Sequence, residues 1–277
     1  MSSAPSRTVQ VVRHYPEALR PDAMLDELAT EEPLEMRVEG RSVAVTMRTP
    51  GDDLDLTTGF LLTEGVIEDI DDISAMAHVD NPADPKRNTV DTVLASGVPA
   101  ARARAADRSF YASSSCGLCG KATIDRIFTR FDPLPPPPTV DLTILHALPK
   151  RLHTHQDTFA RTGGLHAAGL FHLDGTLVLL REDVGRHNAV DKVIGAATRN
   201  ELDLAQTLLV VSGRAGFEIV QKALVARIPI LAAVGAPSSL AADLAHRAGM
   251  ILIGFLRQDR FNLYGAIQPS EPDLTDA

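Results

Sequence analysis

Several features are scarce in this chain of 277 residues, and each scarcity excludes a class of protein. Cysteine occurs only twice, and in a reducing compartment two nearby thiols favour catalysis or metal binding over a structural disulfide. No stretch of about 18 uninterrupted apolar residues is present, and the amino-terminal residues lack the apolar core of a signal peptide. We therefore expect a cytoplasmic protein that does not cross a membrane.

Positive charge is also in deficit. Lysine and arginine total 27 against 36 aspartates and glutamates, which gives a formal net charge of -9. This charge opposes non-specific adhesion to a polyanion, so we expect no nucleic-acid partner, and any anion site must depend on a local cluster. The apolar content of 44% is sufficient for a hydrophobic core in one large domain or two smaller ones.

Three sequence motifs of nucleotide and zinc enzymes are missing. Neither G-x-x-x-x-G-K-[ST] nor G-x-G-x-x-G occurs, so an NTPase or an ordinary dinucleotide dehydrogenase has no support. The H-x-E partner of the zinc-deaminase signature is absent too, because Val79 and Asp80 follow His78. Nucleotide binding without hydrolysis remains compatible with the sequence.

The first half of the chain predicts a small α+β domain at 30–132, preceded by an irregular segment at 1–29. Alternating apolar residues at 34–47 predict a hairpin, and the pattern at 54–62 predicts a helix, with two short strands following. Prolines dominate 133–138 and predict a stiff spacer, because proline neither continues a helix nor joins a central strand.

The second half, 139–277, has a different pattern. A helical stretch and a hairpin that turns at Asp174 and Gly175 come first. The apolar runs TLLVVSG, PILAAVG and MILIGFLR then alternate with amphipathic helical stretches. This β-α-β-α-β order predicts an α/β domain with a mixed, largely parallel sheet, because parallel neighbours need crossovers and buried strands are continuously apolar.

Ligands of open α/β sheets bind beyond the carboxyl ends of the strands. Four segments begin where an apolar run stops: REDVGRHNAVDK, SGRAGFE, VGAPSS and GFLRQDR. Gly213 and Gly216 permit a tight turn into a helix whose free N–H groups attract phosphate. The arginines of these segments are Arg186, Arg214, Arg257 and Arg260. They predict a crevice for a phosphate, a pyrophosphate or a nucleotide-like anion.

Two histidines allow more than one interpretation. His187, with Asp183 and Glu182 nearby, fits a proton shuttle oriented by a carboxylate. It fits equally a helix start that Asp183 caps, with Glu182 solvated. His166 follows Gly163 and Gly164, which suit either a close backbone approach to a ligand or a hairpin turn.

The two thiols, Cys116 and Cys119, stand in SSSCGLCGKA. The glycines and Lys121 favour an accessible thiolate. A structural zinc site needs two more ligands, but no second C-x-x-C is present, and the nearest downstream histidine pair, His153 and His155, is not at finger spacing. Sulfur chemistry, a zinc site and a C-x-x-C without a role all remain open at this point.

Five motifs occur in an order that resembles one known family. SSSCGLCGKA, TGGLHAAGLF, REDVGRHNAVDK, SGRAGFEIVQKA and VGAPSSLA are similar to the formate dehydrogenase accessory proteins, the FdhD sulfur carriers. The earlier stretches PLEMRVEG and TPGDDLDLTTGFLLTEGVI resemble the same family's amino-terminal region. The resemblance extends over about residues 30 to 265.

The resemblance implies a sulfurtransferase. It would take persulfide sulfur from a cysteine desulfurase and pass it to the molybdenum cofactor of formate dehydrogenase, the Mo-bis-molybdopterin guanine dinucleotide, for which a GDP-like nucleotide can substitute. By the same resemblance Cys116 bears the persulfide, and Cys119 assists or resolves it. The alternative is a non-catalytic cofactor-binding chaperone whose C-x-x-C is a redox or zinc site.

The resemblance also implies a binding segment, a fold and an assembly. The matching cofactor-binding residues are Phe255, Leu256, Arg257, Gln258, Asp259 and Arg260. Gly213, Arg214 and His187 complete the expected cofactor site. The carboxyl-terminal domain is expected to have the three-layer cytidine-deaminase-like fold without its zinc machinery, and the chain is expected to form a homodimer. No resident metal is expected.

Overall fold

The structure, a computed structural model, describes residues 3–16, 22–80, 84–99 and 133–265. These residues form two compact units. The first unit contains the described residues up to 99, together with 153–168 and 180–202. The second contains 133–152, 169–179 and 203–265.

The first unit begins with an antiparallel ribbon. Strand β1, Ser6–Arg13, pairs with β2, Asp22–Ala29, in a register that joins Ser6 to Ala29 and Arg13 to Asp22. The prediction of an irregular segment at 1–29 is therefore wrong for these strands. Most of their residues are exposed or half-buried, so ladder hydrogen bonds rather than burial define the ribbon, and the sequence carries little hydrophobic periodicity.

A four-stranded sheet follows in the order β4-β3-β6-β5. Its strands are β3 Glu32–Val38, β4 Arg41–Arg48, β5 Ile73–His78 and β6 Thr89–Leu94. The predicted hairpin and the two short strands are confirmed. Glu39 and Gly40 turn the hairpin with φ values of 53° and 72°, the left-handed pair typical of a type I′ turn.

Two helices of the first unit cross at glycine. Helix α1, Asp53–Thr63, confirms the predicted helix, although its N-cap residue Asp52 makes no side-chain cap bond. A Cβ added to Gly59 would lie 1.9 Å from the main-chain oxygen of Asp191, on the helix Arg186–Arg199. A Cβ added to Gly195 would lie 1.9 Å from the main-chain oxygen of Asp55. The two backbones therefore approach each other as only glycine permits.

This crossing explains why the units differ from the domains predicted from the sequence. A single boundary at the proline stretch would assign residues 186–199 to the carboxyl-terminal domain at 139–277. Their helix packs on α1 instead and belongs to the first unit. Leu134, within the proline stretch, is buried, and its N–H donates to the oxygen of Ala248 at 2.9 Å in the second unit. That residue is thus packed rather than part of a free spacer.

The second unit is built on a six-stranded sheet in the order β12-β11-β10-β9-β7-β8. Its strands are β7 His166–His172, β8 Leu177–Asp183, β9 Thr207–Val211, β10 Ile230–Ala233, β11 Ile251–Gly254 and β12 Asn262–Gly265, of which β7 and β8 contribute their halves nearest the hairpin turn. Strands β9, β10 and β11 are parallel and β12 is antiparallel to β11. The predicted mixed α/β architecture is confirmed.

Six further α-helices and two 3₁₀ helices, Ile70–Asp72 and Leu204–Gln206, complete the described chain. The α-helices are α2 Leu142–Leu145, α3 Leu148–Thr154, α4 Asp157–Thr162, α5 Arg186–Arg199, α6 Phe217–Val225 and α7 Ser239–Ala248. Every residue of β9, β10 and β11 is buried, as their uninterrupted apolar sequences predict. None of the helices within the described ranges has the length and apolarity that crossing a lipid bilayer requires.

The glycine crossing predicts a large loss of stability on Gly59→Ala. The added methyl group meets main-chain atoms of Asp191, which cannot move independently of α5. We expect the free energy of unfolding to fall by about 1–3 kcal/mol or more, measured by urea denaturation. Gly164→Ala is the control in the same unit, because its Cβ would make an ordinary contact at 3.5 Å. Equal stability of the two variants would contradict the crossing.

Candidate functional site

Three loops of the second unit leave the carboxyl ends of β9, β10 and β11, at residues 212–216, 234–238 and 255–260. Because the strands are parallel, these loops lie at one edge of the sheet. The N–H of Gly235 donates to the oxygen of Gly213 at 2.8 Å, and the N–H of Phe255 donates to the oxygen of Gly235 at 3.0 Å. The backbone therefore joins the three loops into one surface, which we call the strand-end loops.

Close backbone contact fixes Gly235 as glycine. A Cβ at this position would lie 2.7 Å from the oxygen of Gly213 and 2.9 Å from the nitrogen of Arg214. A bridge between Ala215 and Pro237 continues the contact. The predicted binding residues Gly213 and Arg214 are thus held against the loop that follows the next strand.

The predicted segment from Phe255 to Arg260 has alternating exposure at its start. Phe255 is 42% exposed and has a φ of 52°, an unusual conformation for a bulky side chain and one that accumulates at ligand sites. Leu256 is fully buried, and its N–H donates to the oxygen of Ala233 at 3.0 Å. Its side chain therefore packs in the core and anchors the segment rather than facing solvent.

Charged side chains concentrate on the same loops. Arg257 donates through Nη1 to the oxygens of Val234 at 2.6 Å and Leu256 at 2.8 Å. Arg260 pairs with Asp259 at 3.1 Å. Arg214 and Gln258 are exposed. The loops thus present three guanidinium groups and one carboxylate, an excess of positive charge that suits a phosphate.

Two helices begin at these loops. Helix α6 starts after Gly216, which provides no side-chain cap. Helix α7 starts after Ser238, whose Oγ accepts from the N–H of Ala241 at 3.2 Å. The amino end of α6 adds partial positive charge to the same edge.

In the first unit, Asp183 at the end of β8 is fully buried. Its Oδ1 accepts from the N–H of Gly185 at 2.8 Å and from Nδ2 of Asn188 at 2.9 Å. Its Oδ2 accepts from the N–H of Thr49 at 3.0 Å and lies 2.8 Å from Nζ of Lys192. Four donors thus engage both carboxylate oxygens.

Lys192 is almost fully buried on α5 and completes this network. Its Nζ donates to the main-chain oxygens of Thr49 at 2.9 Å and Glu182 at 3.3 Å. The ammonium therefore connects the loop after β4, the end of β8 and α5. Sequence reasoning missed this residue, although its spacing from the apolar Ala189 and Ala196 places it on the buried face of the helix.

Glu182 also has a defined structural role. Its carboxylate accepts from the N–H groups of Thr158 at 2.9 Å and Phe159 at 2.7 Å. These amides belong to the first turn of α4, so Glu182 caps that helix from a distant strand. The alternative interpretation of this region left Glu182 solvated, whereas both of its carboxylate oxygens are hydrogen-bonded to α4. His187 lies half-buried in the first turn of α5.

His166 begins β7, in the same unit as His187. Burial lowers the pKa of His166, the charges of Arg186 and His187 lower it further, and Asp183 opposes the shift. Its imidazole is therefore predominantly uncharged at pH 7 and able to accept a proton.

The predicted site residues thus fall in three places. The strand-end loops of the second unit bring together Gly213, Arg214 and the segment 255–260. His187 lies in the first unit. Cys116 and Cys119 lie outside the described residues.

Comparison with known proteins gives one consistent family. The model of the FdhD/NarQ family matches residues 29–269. A protein named sulfur carrier protein FdhD from Mycolicibacterium paratuberculosis is 51% identical over 243 residues, which are 86% of this chain and 89% of that protein. The protein of the same name from Streptomyces coelicolor is 48% identical over 264 residues, covering 93% and 92%.

A solved structure has the same fold. It is described as the crystal structure of a formate dehydrogenase accessory protein from Desulfotalea psychrophila. The TM-score is 0.75, with 95% of this chain and 98% of that chain covered at 23% sequence identity. At this identity the likeness extends to the fold.

The Asp183 network predicts that Lys192→Met is strongly destabilising. The substitution leaves a buried carboxylate without its cation, and such a break costs about 3–5 kcal/mol. Lys86→Met is the matched control, because the Lys86 side chain is 58% exposed and its ion pair with Glu32 contributes at most about 1 kcal/mol. Chemical denaturation measures both, and a loss for Lys192→Met no larger than the control would contradict the network's importance.

Proposed function

The chain belongs to the FdhD/NarQ family, and from this premise we propose that it is a sulfur carrier serving the maturation of formate dehydrogenase. The observation that carries the proposal is the match over residues 29–269, which spans both cysteines together with the strand-end loops. The relatives that are about half identical are named sulfur carrier proteins, which supports the proposal.

Cys116 is the proposed sulfur acceptor, and a cysteine desulfurase is the proposed donor. The Cys116 thiolate bonds to the outer sulfur of the donor persulfide, the donor S–S bond breaks, and the donor cysteine leaves as a thiolate. Gly117, Gly120 and Lys121 flank the pair in sequence, a composition that favours an accessible thiolate.

Cys119 is proposed to resolve the persulfide. Release of the carried sulfur as sulfide takes up two electrons. The Cys119 thiolate supplies them by attacking the Sγ of Cys116, so that a Cys116–Cys119 disulfide forms and the outer sulfur leaves towards the client molybdenum. An external dithiol then reduces the disulfide and returns Cys116 to its thiolate.

The strand-end loops are proposed to hold the client cofactor, Mo-bis-molybdopterin guanine dinucleotide, through its nucleotide phosphates. The fit depends on the backbone hydrogen bonds that gather Gly213, Arg214 and the segment 255–260 at one edge. Arg257 and Arg260 offer forked donors there, and the uncapped start of α6 adds partial charge. His187 is a further proposed cofactor contact. A GDP-like nucleotide would occupy the same site.

The remaining expectations complete the proposal. The carboxyl-terminal layers are proposed to follow the cytidine-deaminase-like arrangement, for which the parallel order of β9, β10 and β11 is supporting evidence. The protein is proposed to work in the cytoplasm, as a homodimer, with the desulfurase and formate dehydrogenase as its partners.

Sulfur loading of Cys116 is directly testable. After incubation with a cysteine desulfurase and cysteine, intact mass spectrometry should show a gain of about one sulfur, ~32 Da. Cys116→Ala should lose this gain. Cys119→Ala should keep it, because the acceptor remains and the resolving thiol does not.

Two results would favour the chaperone alternative. One is a Cys116→Ala protein that restores full formate dehydrogenase activity in a strain lacking this chain. The other is a tightly bound zinc ion together with no mass gain.

Nucleotide binding at the strand-end loops is a separate prediction. Arg214→Gln should weaken the binding of GDP by about threefold to tenfold, because a charge-assisted contact to phosphate is lost. Arg227→Gln is the matched control, since exposed Arg227 follows α6 and precedes β10, at the opposite end of that strand. Isothermal titration calorimetry measures both, and equal affinities would contradict the assignment of the loops.

A further inference from the structure

The amino end of α5 gathers basic side chains in the first unit. Strands β7 and β8 form a hairpin in which the N–H of His172 donates to the oxygen of Thr176 at 2.9 Å. His166, at the start of β7, therefore lies beside the end of β8. Arg186 and His187 follow that end directly, as the first two residues of α5.

The carboxylates nearest in sequence are already engaged. Both oxygens of Asp183 accept two hydrogen bonds or ion-pair contacts each, and both oxygens of Glu182 accept from amides of α4. A saturated carboxylate offers little to a further cation. The positive charge of Arg186 is therefore not neutralised by these two neighbours.

Arg186 has an unusual atom. Its Nε is shielded from solvent and, among the residues that the structure describes, has no hydrogen-bond partner. A buried donor without an acceptor is costly. An oxygen-rich anion at this position would relieve that cost, since guanidinium binds phosphate oxygens through paired N–H groups.

The helix itself contributes to the same place. Helix α5 has 14 residues, and its N-cap is Gly185, whose lack of a side chain leaves the first turn without a side-chain cap. The partial positive charge at a helix start attracts anions. The helix start, the guanidinium and the imidazole thus supply three different kinds of attraction for an anion.

We propose that the first unit has an oxyanion site of its own, formed by Arg186, His166 and the amino end of α5, that binds a phosphate group such as the diphosphate of a nucleotide. This site deepens the nucleotide binding proposed above, on which its biological meaning rests. Its residues are distinct from the strand-end loops, so the two sites can be tested separately.

The site should be linked to pH through His166. The charged groups acting on this imidazole are Asp183 on β8 and Arg186 and His187 on α5. Without a ligand the pKa of His166 lies below its ordinary value of 6.5. A bound anion favours the imidazolium and raises that pKa, and by reciprocity the anion binds more tightly as the pH falls through this range.

The experiment titrates the full chain with inorganic pyrophosphate by calorimetry at several pH values between about 5.5 and 8. Arg186→Gln should weaken binding about tenfold or more, and Arg186→Lys should weaken it less, because it keeps the charge and loses the fork. His166→Gln should remove the part of the pH dependence that the protein contributes. The titration of pyrophosphate itself contributes equally to the pH dependence measured for the wild-type chain and for His166→Gln. This contribution therefore cancels when the two pH dependences are subtracted.

Two controls locate the site. Arg41→Gln removes an exposed arginine elsewhere in the first unit and should leave pyrophosphate binding unchanged. Arg214→Gln, in the strand-end loops, should retain the part of pyrophosphate binding that Arg186→Gln loses. Should Arg186→Gln fail to fold, NMR of the His166 ring in the wild-type chain still decides, because pyrophosphate must raise its pKa.

Three results would overturn the site: no pyrophosphate binding at millimolar concentration, unchanged binding in Arg186→Gln, or a His166 pKa that pyrophosphate does not move. Failure of sulfur loading at Cys116, or of GDP binding through Arg214, would refute the proposed function and leave these three readouts unaffected. The two sets of outcomes are therefore distinguishable.

Discussion

The buried ion pair between Asp183 and Lys192 is the interaction on which the first unit depends. Two charges removed from water are tolerated only if each finds several partners. Here the Asp183 carboxylate also accepts hydrogen bonds from the main-chain N–H groups of Thr49 and Gly185, and the Lys192 ammonium donates to two main-chain oxygens. The pair therefore fixes the loop after β4, the end of β8 and the start of α5 in a single arrangement. The position of Arg186, at the first turn of that helix, follows from it.

In the second unit, backbone hydrogen bonds rather than a buried ion pair hold several segments in one arrangement. Its three parallel strands are wholly buried, so polar groups can gather only where the strands stop. Hydrogen bonds through Gly213 and Gly235 then join the strand-end loops, and Leu256 anchors the last of them in the core. The result is a hydrogen-bonded platform for exposed guanidinium groups. A site of this kind suits phosphate, whose charge is recognised by position and by forked donors rather than by shape.

Much of this organisation could be predicted from local patterns. The hairpin of β3 and β4, helix α1 and the alternation from β9 to β11 each follow from a periodicity within one segment. The ribbon of β1 and β2 could not be predicted in this way, because strand pairing rather than burial defines it. The same limit applied to α5. Its sequence shows an amphipathic helix, but its partner is set by the close approach of Gly195 on α5 and Gly59 on α1, which lie more than a hundred residues apart in the chain.

The sequence by itself determined the types of the strongly periodic elements, the chemical identity of the thiol pair and the family, because these depend on residue order alone. Only the tertiary structure decided the roles of the charged residues around 181–192. Asp183 and Glu182 stand close to His187 in sequence and invite a catalytic interpretation, yet Asp183 forms a buried ion pair with Lys192 and Glu182 caps a distant helix. The reason is physical: the function of a charge depends on which donors and how much water surround it, and long-range contacts set both.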